Sequence, residues 1–335
     1  MKYRTIKKLG LKASIIGQGT GQFGTYAWGY GSQFGDSDIA NIISTCFDVG
    51  INVFDTSETY GDTRSETILG TNLKEYPRDD YLIISKVAPW NLRYNNVLKS
   101  CNSSLNRLGT NFIDIYMIHY PNPLIPLKET VRSLELLMKK GLISSIGVSN
   151  FNKHLIQHMN KLLKKEEIVA NEIQYNLFSR RPEIELIPWC KKQNIEIIAY
   201  SPLCGGLLTQ PYSHITLPKD RARAFNFYSK SNFYWNNENL VNKISDLSFK
   251  YNCSMSQIAL NYLIMKNVFS IPASLSSRQV VQNSDSCEVN LSPTDQKAIQ
   301  EFYHPLSMFY IIFDHGVIRP ISWIKEGLRQ TFRQQ

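Results

Sequence analysis

The chain has 335 residues, of which 43% are hydrophobic and 19% are charged, and this ordinary globular composition excludes a wholly disordered protein. Its 37 Lys and Arg residues outnumber its 28 Asp and Glu residues, which gives a net charge of +9, but the basic residues are scattered. Without a basic run, this charge favours an enzyme that handles small anionic molecules over a nucleic-acid-binding protein.

The cysteines and the apolar runs indicate the cellular compartment in which the protein works. Six cysteines are widely spaced, with no C-x-x-C pair and no Cys/His pair at zinc spacing, so reduced thiols are favoured over disulfides or a metal site. Residues 1–17 have a basic start but no apolar stretch or cleavage site of a signal peptide. No run reaches the ~18 apolar residues of a membrane span. The sequence therefore predicts a cytoplasmic protein without a metal.

Short runs rich in β-branched residues alternate with segments of helical periodicity from residue 13 to about residue 288. The runs predicted as strands are Ser14–Ile16, Asn52–Asp55, Tyr81–Lys86, Asp114–His119, Ser144–Ser149, Ala170–Tyr175, Glu196–Ser201 and Phe269–Ser274. Helices are predicted at Asp38–Val49, Ser65–Lys74, Asn96–Leu108, Lys128–Lys140, Lys153–Lys165 and Pro182–Gln193. Because helical crossovers join parallel strands and eight such strands close a barrel, we expect an α/β fold, a single (β/α)8 TIM barrel over residues 1–335.

Three segments depart from this repeat. Residues 1–12 precede the first strand and are expected to form a hairpin that caps the bottom of the barrel. Residues 204–238 form a long aromatic-rich insertion, and loops of this length are typically functional, so we expect it to lie over the active site. Residues 302–335 contain an apolar run and then a basic segment, and are expected to dock on the barrel, with a dimer contact or a membrane-surface helix as alternatives.

The run GTGQFG at residues 19–24 matches the glycine pattern of dinucleotide-binding folds. In those folds the last glycine leads into a helix whose N-terminus meets the pyrophosphate. Here TYAWGYGSQFG follows instead, and the next strand-end acid, Asp55, lies farther along the chain than that pattern requires. We therefore interpret the run as the first loop at the mouth of the barrel.

Polar side chains follow one predicted strand after another at its C-terminal end, where barrel enzymes carry their active sites. These strand-end residues are Asp55, Lys86, His119, Ser149, Asn150, Gln174, Tyr200, Ser201 and Ser274. Each alone is compatible with a helix cap or a solvated strand end. Their joint occurrence predicts a catalytic face.

Tyr60 follows Asp55 in the run DTSETYGDTRSE and is therefore expected at the barrel mouth. A tyrosine acts as an acid or base near neutral pH when a neighbouring cation lowers its pKa. Lys86 on the next strand is the candidate cation, and Asp55 is the candidate anion that holds the lysine in place. His119 is the candidate donor to a substrate carbonyl. This set predicts carbonyl reduction or alcohol oxidation.

At these residues the chain resembles the aldo-keto reductases over about residues 13–290, in the order and spacing of that family. The matching runs are NVFDTSETYGDTRSETILG, LIISK, SLNRLGTNFIDIYMIHYP, GLISSIGVSNF, EIQYNLF, IIAYSPLCGGLL and SIPASLSSRQVVQN. The resemblance implies a nicotinamide cofactor and a catalytic tetrad, with Tyr60 as the general acid. The tetrad residues are Asp55, Tyr60, Lys86 and His119.

The resemblance also implies a set of residues that bind the cofactor. Those that would hold the nicotinamide are Ser149, Asn150, Gln174 and the stacking ring of Tyr200; those at the pyrophosphate are Ser201, Leu203 and Gly205; those at the adenosine are Ser274, Gln282 and Asn283. Many relatives place an arginine for the 2′-phosphate where this chain has Gln279, and the adjacent Arg278 is a candidate replacement. We therefore expect NADP(H) in preference to NAD(H).

The substrate pocket is expected to be aromatic. Its predicted residues are Phe23, Trp28, Trp90 and Tyr120. Such a cup suits an aldehyde, a ketone or a sugar, and a homo-oligomer is left open. Because a fold does not determine its function, two alternatives stand: a non-catalytic NADP-binding regulatory subunit on the same barrel, and a lyase or isomerase with Lys86 as its base.

Overall fold

The computed structural model describes residues 1–211 and 237–302. It begins with an antiparallel hairpin of β1 (Tyr3–Ile6) and β2 (Leu11–Ser14). Eight parallel strands follow, and neighbours in the sheet are also neighbours along the chain. They are β3 (Gln18–Gly19), β4 (Val53–Asp55), β5 (Leu82–Val87), β6 (Ile115–Ile118), β7 (Ile146–Ser149), β8 (Ile168–Gln174), β9 (Glu196–Tyr200) and β10 (Phe269–Ser270).

The sheet closes on itself where residues 15–19 meet residues 269–273, a junction that we call the β3–β10 seam. Gly17 N donates to Ser270 O at 2.8 Å, Ser270 N donates to Ile15 O at 2.9 Å, and Gly19 N donates to Pro272 O at 3.1 Å. Every residue of β5, β6, β7 and β8 is buried, as expected for strands between a packed interior and an outer layer of helices. The predicted (β/α)8 barrel is confirmed.

The first barrel strand lies later than predicted. Ser14 is the last residue of β2, and Ile16 forms only an isolated bridge with Ser270. On the side of β2 that faces away from β1, Asn52 Oδ1 accepts from Ser14 N at 2.7 Å. The barrel strand starts at Gln18, and the hairpin extends past the predicted residue 12.

The hairpin packs at the N-terminal ends of the barrel strands, the end opposite to the predicted active site. Arg4 pairs with Glu196, the first residue of β9, at 2.6 Å, and also donates to Asn267 O just before β10. Lys8 Nζ donates to Ile168 O, at the start of β8, at 3.1 Å. The hairpin thereby ties several strand ends together from below, where residues 1–12 were expected to form a cap.

The helices cover the outside of the barrel. They are α1 (Asp36–Asp48), α2 (Arg64–Leu73), α3 (Tyr94–Leu108), α4 (Leu127–Lys139), α5 (Lys153–Leu162), α6 (Leu186–Lys192), α7 (Glu238–Lys250), α8 (Met255–Met265), α9 (Ser277–Asp285) and α10 (Pro293–Glu301). The first six correspond to predicted helices, although α6 starts four residues late because a short 3₁₀ turn, Arg181–Glu183, precedes it. The helices from α7 onward were not predicted. Since α8 is buried along most of its length, its sequence lacks the alternation of apolar and polar faces.

Most of the insertion at residues 204–238 and almost all of the tail at residues 302–335 lie outside the described residues. The six cysteines are described, and all are free thiols. Within residues 1–211 and 237–302, no helix is both long and apolar enough to cross a membrane. The same residues contain no group of His, Cys, Asp and Glu arranged to hold a metal ion.

Gly70 allows α2 to approach α3 closely, and its replacement tests this packing. A methyl group at Gly70 would lie 2.6 Å from Arg107 O and from Leu108 Cα. Because these backbone atoms cannot turn aside, we expect Gly70→Ala to lower the free energy of unfolding by about 2–3 kcal/mol in urea denaturation. Gly35→Ala is the control, since nothing lies within 4 Å of that position. Equal losses in the two variants would contradict the packing argument.

Candidate active site

A cavity of about 570 Å³ opens at the C-terminal ends of the barrel strands. Its wall takes residues from the ends of β3 and β4 and from the loops that follow β6, β7, β9 and β10. This is the position at which barrel enzymes build their active sites, because the loops there vary while the strands below stay rigid. The polar strand-end residues predicted from the sequence that line this cavity are Asp55, His119, Ser149, Asn150, Tyr200 and Ser201.

Lys86 occupies the centre of a buried polar cluster beneath the cavity. Its Nζ lies 2.5 Å from Asp55 Oδ2, 3.0 Å from Thr56 O and 3.4 Å from Tyr60 OH. A fully buried ammonium requires an opposite charge, which Asp55 supplies. Burial lowers the pKa of Lys86, but Asp55 and Glu172 outweigh this and raise it above its ordinary value. The lysine therefore stays charged at neutral pH.

Tyr60 holds its phenolic proton in this environment. Burial raises the pKa of Tyr60 above its ordinary value, Lys86 opposes this, and the carboxyl groups of Asp55 and Glu172 add to it. The sequence analysis expected the lysine to lower this pKa; Lys86 acts in that direction, but the effect of burial is larger. A protonated phenol beside a cation is the state that a proton donor requires.

His119 is held against Tyr60 by two hydroxyl groups of the loop after β4. Its Nδ1 lies 3.1 Å from Ser57 Oγ and 3.2 Å from Thr59 Oγ1. The ring meets Tyr60 edge to face at 5.5 Å and stacks on Tyr120 at 5.1 Å. Hydroxyl groups that donate to Nδ1 leave the ring proton on Nε2, and we assign that tautomer to His119. An Nε2–H is a suitable donor to a carbonyl oxygen.

Removing both hydroxyls tests this assignment of the histidine. In the double variant Ser57→Ala, Thr59→Val, we expect the Nδ1-protonated tautomer of His119 to become populated, because Nδ1 loses the hydroxyl groups that donate to it. The tautomer is read from the ¹⁵N chemical shifts of the ring. Thr45→Val is the control, since that hydroxyl bonds only within α1, to Asn41 O. An unchanged ¹⁵N spectrum in the double variant would refute the role of the two hydroxyls.

The next part of the cavity wall joins the ends of β7 and β9. Asn150, with a left-handed φ of +62°, donates through Nδ2 to Ser149 Oγ at 2.9 Å and to His119 O at 3.2 Å. Its Oδ1 accepts from the Tyr200 hydroxyl at 2.9 Å. Ser149, Asn150 and Tyr200, which the sequence analysis predicted to hold the nicotinamide, all line the cavity. Their mutual bonds fix the shape of the wall before any ligand enters.

Beyond Tyr200 the chain turns through a segment whose Ser201, Leu203 and Gly205 also line the cavity. Gly205 has a φ of +67°, and no atom lies within 4 Å of the place where a Cβ would stand. Gly206, with a φ of +99°, follows on the same wall. Two glycines in left-handed conformations leave the backbone uncovered, which suits close approach of an anionic group.

Helix α9 provides the far end of the cavity. Gln279, Gln282 and Asn283 lie on one face of this helix and line the wall, because residues three and four apart face the same way. Arg278 does not lie on the described wall, since one residue along a helix turns the side chain by about 100°. Ser274 lies behind the wall, where its Oγ accepts from Asn283 Nδ2 at 3.2 Å.

Of four further predicted residues, two line the cavity and two do not. Trp28 and Tyr120 line the cavity. Phe23 is fully buried in the hydrophobic core, and Trp90, in the short turn Pro89–Asn91, is not on the described wall. The predicted aromatic cup therefore retains two of its members among the described residues.

Strand β8 presents a different residue from the one predicted. Gln174 is not on the described wall, whereas Glu172, two residues earlier on the same face of the strand, lines the cavity. Glu172 is buried, and its Oε2 lies 3.3 Å from Lys86 Nζ. The sequence analysis missed Glu172, Ser57 and Thr59. The period of two along β8 is a signal that could have pointed to Glu172.

Comparisons with known proteins agree with this geometry. The chain is 34% identical over 220 residues to the Bacillus subtilis aldo-keto reductase YhdN, a match that covers 62% of this chain and 64%, just under two thirds, of that protein. It is 31% identical over 303 residues to the uncharacterized oxidoreductase Mb2320 of Mycobacterium bovis, covering 90% of this chain and 92% of that one.

The fold comparison points the same way. The crystal structure of an aldo-keto reductase from Klebsiella pneumoniae in complex with NADPH matches with a TM-score of 0.75 at 26% identity, over 92% of this chain and 97% of that one. The model of the aldo/keto reductase family matches residues 16–304, which include every barrel strand and all of the polar cluster. On this evidence the chain belongs to the aldo/keto reductase family.

Proposed function

We propose that this oxidoreductase transfers hydride between the nicotinamide of NADP(H) and a carbonyl or alcohol substrate, with Tyr60 as general acid and base. The observation that carries the proposal is the series Tyr60–Lys86–Asp55. A phenol lies 3.4 Å from an ammonium that lies 2.5 Å from a carboxylate, at the wall of the cavity. Residues 1–335 are proposed as one catalytic domain.

The described wall fits a nicotinamide dinucleotide. Two buried polar atoms at the wall, Gln22 Oε1 and Glu172 Oε2, have no hydrogen-bond partner in the described part of the chain, so the cavity offers groups that a polar ligand would satisfy. We assign the nicotinamide end to Ser149, Asn150 and Tyr200. The uncovered turn at Ser201–Gly206 would hold the pyrophosphate, and the face of α9 with Gln279, Gln282 and Asn283 would hold the adenosine.

The bound cofactor supplies the hydride in the reducing direction and accepts it in the oxidising direction. In carbonyl reduction, Tyr60 gives its phenolic proton to the substrate oxygen as negative charge develops there. Lys86 stabilises the phenolate that remains, and Asp55 keeps the lysine oriented and charged. His119, protonated on Nε2, donates to the same substrate oxygen and orients it. In alcohol oxidation the proton moves in the opposite direction.

NADP(H) in preference to NAD(H) is proposed because the Klebsiella pneumoniae relative was crystallised with NADPH. In α9 the cavity face carries the amide of Gln279, which bonds Leu275 N at 2.7 Å, while Arg278 lies off the described wall. A guanidinium at Arg278 would have to turn toward the cavity to bind a 2′-phosphate. The ratio of the affinities for NADPH and NADH measures whether it does so.

The test is a titration of the protein with NADPH and NADH, followed by quenching of tryptophan fluorescence. Absorbance of the reduced nicotinamide is then followed with a panel of aldehydes, ketones and sugars. We expect saturable binding, tighter for NADPH, and oxidation of the cofactor that depends on the carbonyl compound. Binding without turnover across the panel would favour the regulatory-subunit alternative, and failure of both cofactors to bind would refute the proposal.

A further inference from the structure

Glu172 is a second carboxyl group beside Lys86, and the reaction as proposed does not use it. The three N–H bonds of an ammonium are accounted for by Asp55, Thr56 O and Tyr60. Glu172 Oε2, in an ion pair with Lys86 Nζ at 3.3 Å, has no hydrogen-bond partner among residues 1–211 and 237–302, although it is buried and lines the cavity. This oxygen therefore has hydrogen-bonding capacity that a ligand at the wall can use.

The charges of the cluster do not balance if every group ionises. Asp55 and Glu172 would then carry two negative charges against the single positive charge of Lys86, and all three side chains are buried. Asp55 lies closer to the lysine, at 2.5 Å against 3.3 Å, so it is the carboxyl that ionises. Glu172, the more distant of the two carboxyl groups, is the one that keeps a proton.

The surroundings of Glu172 also favour its protonated form. Burial, and then the charge of Asp55, raise the pKa of Glu172 well above its ordinary value, and the attraction of Lys86 only partly offsets this. Tyr60 on the loop after β4 keeps its proton and so adds no negative charge beside Glu172, and His119 is another titratable group on this wall. At neutral pH the cluster is thus one ion pair plus a neutral acid. Raising the pH ionises that acid.

We propose that Glu172 is a specificity-determining residue that makes the preference of this site for oxidised or reduced nicotinamide depend on pH. The inference rests on the proposed function. The oxidised nicotinamide ring carries a positive charge and the reduced ring is neutral. An ionised Glu172 at the cavity wall therefore attracts the oxidised ring and has no net charge to attract on the reduced ring. Binding of the oxidised cofactor must in turn favour release of the proton from Glu172.

The test measures Kd for NADP⁺ and NADPH by tryptophan quenching between about pH 6 and pH 10. Both cofactors carry the same phosphates and adenosine, so the ratio of the two Kd values isolates the nicotinamide. In the wild type we expect the ratio Kd(NADP⁺)/Kd(NADPH) to fall by about tenfold or more as the pH rises. In Glu172→Gln, a nearly isosteric side chain that stays neutral, the ratio should change by less than about twofold.

Glu196→Gln is the matched control, because Glu196 pairs with Arg4 at the opposite end of the barrel. It should keep the wild-type pH profile. A profile in Glu172→Gln that follows the wild type would overturn the inference, while failure of the wild type to bind either cofactor would refute the proposed function instead. If Glu172→Gln does not fold, infrared difference spectra of the wild type decide: loss of a carboxylic-acid C=O band on NADP⁺ binding supports the inference, and its persistence overturns it.

Discussion

Tyr60→Phe is expected to lower kcat by a factor of about 10² to 10⁴ while the affinity for NADPH stays within about twofold of the wild type. The phenylalanine ring keeps the edge-to-face contact with His119, but it has no proton to give to the substrate oxygen. Steady-state kinetics with the best substrate of the panel measure the first quantity, and tryptophan quenching measures the second.

Tyr76→Phe provides the control for this prediction. Tyr76 is stacked on Phe47 at 3.6 Å, on the outside of the barrel and away from the cavity, so loss of its hydroxyl should leave kcat unchanged. A Tyr60→Phe enzyme that retained a tenth or more of the wild-type kcat would exclude Tyr60 as the proton donor. It would favour instead the alternative in which Lys86 acts as the base.

Lys86→Met is expected to abolish turnover and to lower the free energy of unfolding by about 3–5 kcal/mol at pH 8. The substitution leaves Asp55 buried without its opposite charge. In the variant, Asp55 takes up a proton on folding, so its pKa in the folded state is higher than in the unfolded state. The resulting penalty decreases as the pH falls toward the unfolded-state pKa.

Urea denaturation at pH 5 and pH 8 measures this effect, and we expect the difference from the wild type to be smaller at pH 5. Lys297→Met is the control, because Lys297 forms an exposed pair with Glu301 and should contribute little at either pH. A deficit that is the same at pH 5 and pH 8 would show that lost packing, and not an uncompensated carboxylate, causes the instability.

The barrel and the centre of the site could be predicted from the sequence because their signals are local. Each apolar strand ends in a polar residue, and Asp55, Lys86 and His119 are all of this kind. Local sequence does not decide whether a given residue near a strand end reaches the cavity, because this depends on the stagger between neighbouring strands. On β8 the stagger brings Glu172, and not Gln174, to the height of the cavity.

The rotational phase of α9 similarly limits how well the sequence predicts the residues at the adenosine end of the cavity. The residue at which α9 begins decides whether position 278 or 279 faces the cavity, and the polar run before it gives no clear start signal. The hydroxyls of Ser57 and Thr59 act on a histidine about sixty residues later in the chain. Contacts between segments so far apart depend on the folded barrel and leave no pattern in either segment.

The β3–β10 seam is the place where a partly unfolded barrel would expose the edges of its sheet. The two strands that meet there have only two residues each, so few hydrogen bonds hold the barrel closed at this point. A closed barrel offers no edge to which another chain can add a strand, but an opened seam uncovers two edges at once. We therefore expect a nearly native barrel that has parted along this junction to be prone to aggregation. The Arg4 contacts of the hairpin, at the bottom of β9 and β10, protect the chain against that outcome.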